Sequence, residues 1–475
     1  MSGNIVSFSI HTEVTSAYID DLLLFIYQNY IVPLYRYFSN VRRWFIGERE
    51  VLAFRFVDPE GEWYVDVEVE AGNPINVRMI PSSEEVPKSI LYRLKEDLIV
   101  TIQIFEENVR RNTLYFAWVK REDLVLEKAT YGWRRIINRI FYGNMVFLFM
   151  IFIILTYLTF LIFRVYTPLV IVAAQFVIIL FADKIIAKMG DWTITPKNPE
   201  VYILQYHIPA EDLTSFQRNY SRDTLLEIKR EIYKRTLAIG LPITNDVVRE
   251  VFYRYGIHCR LENLLIKTVN LYKLVKEAAR RFNMPIPKIV LSNIILPNAA
   301  ATGPSPSRGL MLITTGLLIQ LEEDEILSVI GHELSHLKGR DPMILFTLVS
   351  TEYLLRAYIF WPLIYYFGFL YYIFILSLLY FVAKFFEARA DLESAIRIGR
   401  PVSLANALRK VGFRKIQFER LSASRVGSWL GIDPHPPVSF RAARLESIED
   451  PSSIKHPFLR SVIDCVNGFL TSLRG

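Results

Sequence analysis

The pentapeptide His332-Glu333-Leu334-Ser335-His336 is the most informative stretch of this chain of 475 residues. In an α-helix, residues four apart lie on one face, so the two imidazoles can bind the same metal ion. Glu333 is displaced from that line by one residue, where a carboxylate can reach a water molecule on the metal and act as a general base. The pattern predicts zinc-dependent hydrolysis of peptide bonds, and a solvated surface helix is the alternative.

The residues around the pentapeptide predict the helix that it needs. Acidic residues from Glu322 to Asp324 precede it, where negative charge stabilises a helix N-terminus. Gly339 suits the helix end. Apolar residues recur on one face, at Ile326, Leu327, Ile330, Leu334 and Leu337. The pentapeptide therefore lies near the end of a buried amphipathic helix.

A catalytic zinc ion needs three protein ligands and one open position, so a third ligand must come from elsewhere. The best candidate is Glu387 in the segment Glu387-Ala388-Arg389-Ala390-Asp391. One of its two carboxylates could bind the metal while the other accepts the second N–H of a ligand histidine. A solvated, charged helix face is the alternative. Cys259 and Cys465 are far apart in sequence and predict neither a metal site nor a disulfide framework.

Two long apolar blocks predict transmembrane hairpins. Met343 to Phe386 would extend about 66 Å as a single helix, about twice the thickness of a bilayer core. Two spans joined near Trp361 and Gly368 fit better. The block from Phe141 to Asp183 breaks at 164–168 and predicts a second hairpin, which gives four spans in all. A pair of buried core hairpins is the alternative.

The order of these elements restricts the topology. His332 and His336 precede the 343–386 hairpin and Glu387 follows it, so all three can share one zinc ion only if an even number of crossings separates them. Basic residues flank the same ends of both blocks: Arg134, Arg135, Arg139, Lys184, Lys188, Lys338, Arg340, Lys384 and Arg389. The positive-inside rule places these ends, and the catalytic residues, on the cytoplasmic side of the cell membrane.

The distribution of charge favours a membrane surface over nucleic acid as a partner. A formal net charge of +7 suits a protein that lies against an anionic inner leaflet. We expect no nucleic-acid partner, because the basic residues cluster at span ends without a stacking motif. The sequence carries no signal for an oligomeric state.

The chain divides into four predicted units. These are a soluble α+β domain of unknown function (1–132), a first transmembrane hairpin (133–190), a soluble connecting module (191–262) and a zinc metalloprotease domain (263–475) that contains the second hairpin. In the first unit, alternating apolar residues predict a hairpin of Val51 to Val57 with Trp63 to Val69, followed by a helix from about Ser89 to Arg111.

A sheet edge is predicted beside the catalytic cleft. Two β-rich runs, Pro287 to Leu296 and Leu310 to Thr315, flank a segment rich in small and turn residues at 297–309. An extended peptide could join such an edge as an additional strand through backbone hydrogen bonds. Asn298 could anchor the peptide, although a plain turn asparagine is an equal alternative.

Taken together, these motifs resemble the HtpX family of membrane zinc metallopeptidases, which are relatives of the CAAX prenyl proteases. The resemblance rests on six segments: Asn298-Ala299-Ala300-Ala301-Thr302-Gly303, Thr314-Thr315-Gly316-Leu317-Leu318, Gly331 to His336, Arg340-Asp341, Glu387 to Asp391, and His435-Pro436-Pro437 with Arg441. One departure is Ala300, where the family often has an aromatic residue. Residues 1–130 have no counterpart in the resemblance.

The resemblance implies a gluzincin-like, mainly helical catalytic domain with a small sheet, so that the fold class is α+β with transmembrane helices. It implies one zinc ion per chain. It also implies these roles: His332, His336 and Glu387 as zinc ligands, Glu333 as the base that activates water, Asp391 as the hydrogen-bond partner of His332, His435 as a stabiliser of the oxyanion, and Asn298, Ala299 and Arg441 as substrate-binding residues.

The expected function is that of a membrane-embedded zinc endopeptidase. By resemblance, its substrates are misfolded or damaged membrane proteins. Processing of prenylated C-termini, as in the CAAX proteases, is one alternative. An inactive, zinc-stabilised membrane scaffold is another, and the presence of Glu333 argues against it because a scaffold needs ligands but no base.

Overall fold

The computed structural model describes residues 5–15, 18–47, 49–120, 145–188, 190–421, 425–431 and 433–474. The predicted border at 132/133 and the basic residues Arg134, Arg135 and Arg139 lie outside these ranges. The described part is mainly helical, with strands in three small sheets. The strands are β1 (Val6–Ile10), β2 (Phe38–Ile46), β3 (Arg49–Val57), β4 (Tyr64–Glu70), β5 (Ile75–Pro81), β6 (Thr113–Val119), β7 (Trp192–Ile194), β8 (Val201–His207), β9 (Leu264–Val269), β10 (Lys288–Ser292), β11 (Ala299–Thr302) and β12 (Leu310–Thr314).

Helices make up the larger share of the described residues. They are α1 (Ile19–Ile26), α2 (Lys88–Arg111), α3 (Met145–Phe163), α4 (Thr167–Leu180), α5 (Ala182–Ala187), α6 (Leu213–Asn219), α7 (Arg222–Arg235), α8 (Asn245–Arg254), α9 (Leu271–Arg281), α10 (Thr315–Gln320), α11 (Glu323–Gly339), α12 (Asp341–Tyr358), α13 (Trp361–Phe367), α14 (Phe369–Ile398), α15 (Pro401–Leu421), α16 (Arg425–Leu430), α17 (Val438–Glu446) and α18 (Pro457–Arg474).

The N-terminal sheet has the strand order β1-β5-β4-β3-β2 and is antiparallel throughout. Its central hairpin, β3 with β4, is the predicted one. Alternation along β4 turns Val65, Val67 and Val69 into the core, where α1 and α2 cover them.

A second sheet, β6-β8-β9, joins residues from three predicted units. β6 lies in the predicted unit 1–132 but pairs with β8 of the connecting module, and β9 follows residue 262. Both faces of β6 are apolar. Phe116 and Trp118 pack into one core, and Val119 packs into the core of the protease domain. The predicted unit borders therefore do not separate sheets.

The protease sheet has the order β11-β12-β10-β7. β10 and β12 are parallel, whereas β11 pairs antiparallel with β12, so that Ala299 faces Ile313 and Thr302 faces Leu310. The sequence at 297–309 is rich in turn residues and did not predict that 299–302 form a strand. Strand β12 is paired with β10 on one side and with β11 on the other. Among the described strands, the unpaired edge at this end of the sheet therefore belongs to β11.

Helix α11 carries the pentapeptide and packs on this sheet through the predicted apolar stripe, which is buried. Its N-terminus has a capping box in which the side chains of Glu322 and Glu325 bond to each other's backbone N–H groups. The helix ends at Gly339. The next residue, Arg340, takes a left-handed conformation with φ 54°. A Cβ on Gly339 would lie 2.3 Å from Nη2 of Arg389, so a larger residue here would require the Arg389 side chain to move.

Two stretches are long and apolar enough to cross a membrane. They are Met150–Leu180, with 31 residues, and Phe369–Ile398, with 30 residues. The pair α12 and α13, bent by 79°, counts as a third if it is one span. A 3₁₀ turn at Arg164–Tyr166 interrupts the first stretch at the predicted break.

The apolar helices pack against each other. Tyr358 Oη donates to the carbonyl oxygen of Val165, and Phe176 stacks on Phe346 at a centroid distance of 6.0 Å. Helices α4 and α12 are therefore antiparallel.

Candidate metal centre

Helices α11 and α14 cross at close range and bring the candidate ligands together. A Cβ on Gly331 would lie 2.6 Å from Ile398 Cγ1 and 2.8 Å from Ser394 Oγ. The Ser394 hydroxyl donates to the carbonyl oxygen of Ser328 at 2.7 Å. This contact fixes the face of α14 that carries Glu387 against the face of α11 that carries the histidines.

The predicted ligands form a compact triangle. The two Nε2 atoms of His332 and His336 are 3.1 Å apart, and the Glu387 oxygens lie 3.5 Å from His332 Nε2 and 3.4 Å from His336 Nε2. Ligands at about 2.0–2.1 Å from a tetrahedral zinc ion lie about 3.3–3.4 Å from one another. The donor set therefore fits zinc in type and in spacing. Among the described residues, these three side chains lie close enough together to hold such an ion.

The other nitrogen of His332 faces Asp391. Its Nδ1 lies 3.0 Å from Asp391 Oδ1, as the sequence predicted. Burial acts to lower the pKa of His332, but the hydrogen bonds with Asp391 and Glu387 raise it to about 10. Asp391 in turn accepts two hydrogen bonds from Arg441, at 2.8 and 2.7 Å.

The structure places Arg441 beside Asp391, and its predicted substrate-binding role stays a prediction. The residue is buried, and its guanidinium group is held by both oxygens of Asp391, with Glu387 Oε2 at 3.7 Å. In this position the guanidinium group can orient the Asp391 carboxylate. The resemblance correctly placed Arg441 near the cleft, but no spacing rule relates a residue on α17 to one on α14.

His336 has an equivalent partner that the sequence did not reveal. Its Nδ1 lies 2.8 Å from Asp341 Oδ2, and the same oxygen accepts a hydrogen bond from Arg389 at 2.7 Å. Asp341 follows the left-handed residue Arg340, which turns the chain so that the carboxylate folds back toward the histidine. Helical spacing alone does not pair residues five apart, although Arg340-Asp341 was among the motifs of the resemblance.

Glu333 is next to the edge strand. Its Oε2 accepts a hydrogen bond from the backbone N–H of Ala301 in β11 at 2.9 Å. Burial raises the pKa of the Glu333 carboxyl, while the charges of His332 and His336 oppose that change. A carboxyl with a raised pKa is suited to take up a proton and give it back.

His435 reaches the centre from a loop. Its Nε2 lies 3.6 Å from Glu387 Oε2, and its Nδ1 lies 2.9 Å from Asp433 Oδ1, which also accepts the backbone N–H of His435 at 3.0 Å. Burial acts to raise the pKa of Asp433, but the hydrogen bonds from His435 hold it below its usual value. The partly exposed imidazole is thus oriented with Nε2 toward the metal site. Asp433 was not singled out from the sequence.

The remaining predicted residues lie on the strand β11 or beside the centre. The exposed Asn298 precedes β11, where its backbone N–H donates to Thr314 Oγ1 at 2.9 Å. Ala299 is partly buried and paired with Ile313. Another carboxylate on the same helix as Glu387, that of Glu393, accepts a hydrogen bond from Ser335 Oγ at 2.7 Å.

Comparisons with known proteins give a family match over the segment that contains these residues. Residues 266–449 match peptidase family M48. A protease HtpX homolog from Methanothermobacter thermautotrophicus is 36% identical over 161 residues, which cover 30% of this chain and 59% of that relative. The aligned part is therefore less than two thirds of that relative.

Two further relatives align over longer stretches. A protease HtpX homolog from Thermodesulfovibrio yellowstonii is 29% identical over 38% of this chain and 74% of the relative. The protease HtpX homolog 2 from Methanosarcina acetivorans is 29% identical over 42% of this chain and 78% of the relative. The family predicted from the motifs is confirmed for this part of the chain: residues 266–449 match peptidase family M48, and these three relatives are HtpX homologs.

Proposed function

We propose that this chain is a membrane-embedded zinc endopeptidase that cleaves misfolded or damaged membrane proteins. The observation that carries the proposal is the triangle of His332, His336 and Glu387, with separations of 3.1–3.5 Å, beside the carboxyl of Glu333. Membership of peptidase family M48 supports the same chemistry. A scaffold would need the three ligands but would have no use for Glu333.

The side chains around the centre have distinct tasks in hydrolysis. When bound, zinc polarises the scissile carbonyl and lowers the pKa of a water molecule. Glu333 takes the proton of the attacking water and later delivers it to the leaving amine. Asp391 and Asp341 each accept the Nδ1 proton of a histidine, which leaves both Nε2 atoms free as ligands. His435, held by Asp433, donates from Nε2 to the oxygen on which negative charge develops.

The edge strand β11 is the proposed binding site for the substrate backbone. It has one partner strand, β12, and its other edge lies beside Glu333, because the N–H of Ala301 contacts that carboxyl. An extended peptide paired with β11 would place a scissile bond next to the base. Asn298 and Ala299 lie at the start of this strand and are the proposed contacts.

Four crossings with a cytoplasmic protease domain are the proposed topology. Val119 pairs with Val201 in one sheet, so residues 120 and 200 lie on the same side, and an even number of crossings separates them. The same parity holds between His336 and Glu387, which meet at the metal site. Two hairpins satisfy both conditions, with their outer ends at the 3₁₀ turn Arg164–Tyr166 and at the short helix α13.

Thiol labelling tests the topology. Tyr166 and Tyr366 are 68% and 78% exposed in the two proposed outer turns, and Tyr253 is 70% exposed in the connecting module. In a Cys259→Ser background, we expect Tyr166→Cys and Tyr366→Cys to react with an impermeant reagent in intact cells. Tyr253→Cys should react only after permeabilisation. Labelling of Tyr253→Cys in intact cells would overturn the proposed orientation.

Zinc affinity tests the role of Asp341. We expect Asp341→Asn to weaken zinc binding by about 10- to 100-fold, because the variant loses the negative charge that holds His336 in the ligand tautomer. Asp324→Asn, on the exposed first turn of α11, is the matched control and should leave affinity unchanged. Competition with a chromophoric chelator measures both. Equal affinities would show that Asp341 does not support the ligand.

Substrate choice separates quality control from prenyl processing. Pairing with β11 requires an unpaired backbone, which a destabilised membrane protein offers and a folded one does not. We expect destabilising substitutions in a membrane substrate, with its cleavage sequence unchanged, to raise the cleavage rate. A prenyl group on a soluble peptide should not be required. Strict dependence on the prenyl group, with no response to substrate stability, would favour the CAAX alternative.

A further inference from the structure

A basic cavity of about 240 Å³ lies between α5 and the membrane-proximal end of the protease sheet. It is separate from the metal centre, since none of the proposed ligands lines it. Its lining residues are Asp183, Lys184, Ala187, Ile286, Lys288, Ser307, Arg308, Gly309 and Leu310.

Both walls of the cavity lie near the end of an apolar helix: one near the end of α4 and the other near the start of α12. On one side, Asp183 and Lys184 are three and four residues beyond the apolar stretch that ends at Leu180. On the other side, a Cβ on Gly309 would lie 2.3 Å from Leu337. Leu337 is four residues before Asp341, where the apolar helix α12 begins. The cavity is therefore at the level of a bilayer surface.

The cavity carries an excess of positive charge. Three cations and one carboxylate line it, so its formal charge is 3 − 1 = +2. Arg308 is held in place, because it lies 3.3 Å from Asp183 and donates to the carbonyl oxygen of Leu180 at 3.1 Å. Lys184 and Lys288 are exposed and form no ion pair with any residue in the described ranges. Two ammonium groups are thus available to a ligand.

The surface next to the cavity suits hydrocarbon. Val177, Ile178 and Phe181 are 51%, 58% and 45% exposed on the helical turns that lead into it. A molecule with its phosphate among the cavity's lysines could lay an acyl chain along these side chains. A free phosphate ion would use the lysines alone.

We propose that this cavity binds the phosphate of an anionic phospholipid. Ammonium groups between a membrane helix and a soluble domain are the usual recognition chemistry for lipid headgroups. The proposal requires insertion of α4 into a bilayer but not peptidase activity. Arg308 and Gly309 belong to the connection between β11 and β12, so a bound lipid would restrain the strand that we assign to substrate binding.

Lipid binding to the detergent-solubilised full chain tests the proposal. We expect phosphatidylglycerol to bind more tightly than phosphatidylcholine, as measured by native mass spectrometry. The double variant Lys184→Glu/Lys288→Glu should lose about 10- to 30-fold in affinity for phosphatidylglycerol. Each lysine near an anionic membrane surface contributes about 1 kcal/mol, and two lysines together correspond to a factor of about 30. The matched control is Lys273→Glu/Lys276→Glu on α9, which changes the net charge equally and should keep the affinity.

Three outcomes would overturn the proposal. The first is equal binding of the two lipids by the wild type. The second is an equal loss in the control variant, which would indicate only a general charge effect. The third is displacement of phosphatidylglycerol by millimolar inorganic phosphate, which would assign the cavity to a soluble phosphate instead. Circular dichroism of both double variants ensures that a loss of binding does not reflect unfolding.

Discussion

Glu333→Gln is expected to lower the rate of peptide hydrolysis by about 10²- to 10⁴-fold, the range typical of a general base. The amide cannot take the proton of the attacking water, yet it has nearly the shape of the carboxyl and can still accept the N–H of Ala301. The zinc ligands are unchanged, so the variant should retain about one zinc ion per chain. Cleavage of casein or of a membrane substrate, measured beside zinc content, checks both expectations.

The control for this substitution lies on the same helix. Glu323→Gln alters an exposed residue in the first turn of α11 and should leave both rate and zinc content near those of the wild type. Undiminished cleavage by Glu333→Gln would remove the residue from the mechanism. A loss of zinc together with activity would instead assign Glu333 a structural role.

Glu387→Ala should have the largest effect on metal binding. It removes one corner of the ligand triangle, which lies 3.4–3.5 Å from both histidines. We expect zinc affinity to fall by more than the roughly 10- to 100-fold loss expected when an outer partner such as Asp391 is replaced by alanine. Dialysis against a chelator, followed by metal analysis, ranks the zinc affinities of the wild type, Asp391→Ala and Glu387→Ala.

Glu393→Gln is the matched control for the third ligand. Glu393 lies on the same helix as Glu387, but its carboxylate bonds to Ser335. It should therefore retain zinc. If Glu387→Ala bound zinc normally and Glu393→Gln did not, the assignment of the third ligand would pass to Glu393.

The helix with the pentapeptide could be predicted because its signals are local. A helical period of apolar residues and acidic residues at its start specify α11, and the spacing of His332 and His336 specifies their common face. The four-residue spacing of Glu387 and Asp391 likewise gave one ligand candidate and one hydrogen-bond partner. These inferences need only the geometry of a single helix.

Strand β11 could not be predicted in this way. The three alanines 299–301 have little intrinsic preference for a strand, and the segment lies between Pro297 and Gly303, both of which favour turns. Their extended conformation depends on pairing with β12, which is separated from them by a loop. The sequence therefore indicated a sheet edge beside the cleft but did not show that residues 299–302 form its outermost strand.

The hydrogen-bond partners of the two histidines also differ in how far they could be predicted from local sequence. Asp391 lies on the helix of Glu387 and was predicted, whereas Asp341 reaches His336 only because Arg340 takes a left-handed conformation. The contact of Arg441 with Asp391 joins residues 50 positions apart and has no signal in spacing. Strand β6 likewise packs outside its predicted unit. Its two apolar faces are buried in two different cores, and both cores are formed by later parts of the chain.

X-ray absorption at the zinc edge of the purified full-length protein tests the central claim most directly. The account predicts about one zinc ion per chain, surrounded by nitrogen and oxygen neighbours at about 2.0–2.2 Å with two imidazoles among them. Glu387→Ala should lose this signal, and Glu333→Gln should keep it. A sulfur neighbour at about 2.3 Å, or zinc retained unchanged in Glu387→Ala, would contradict the proposed site.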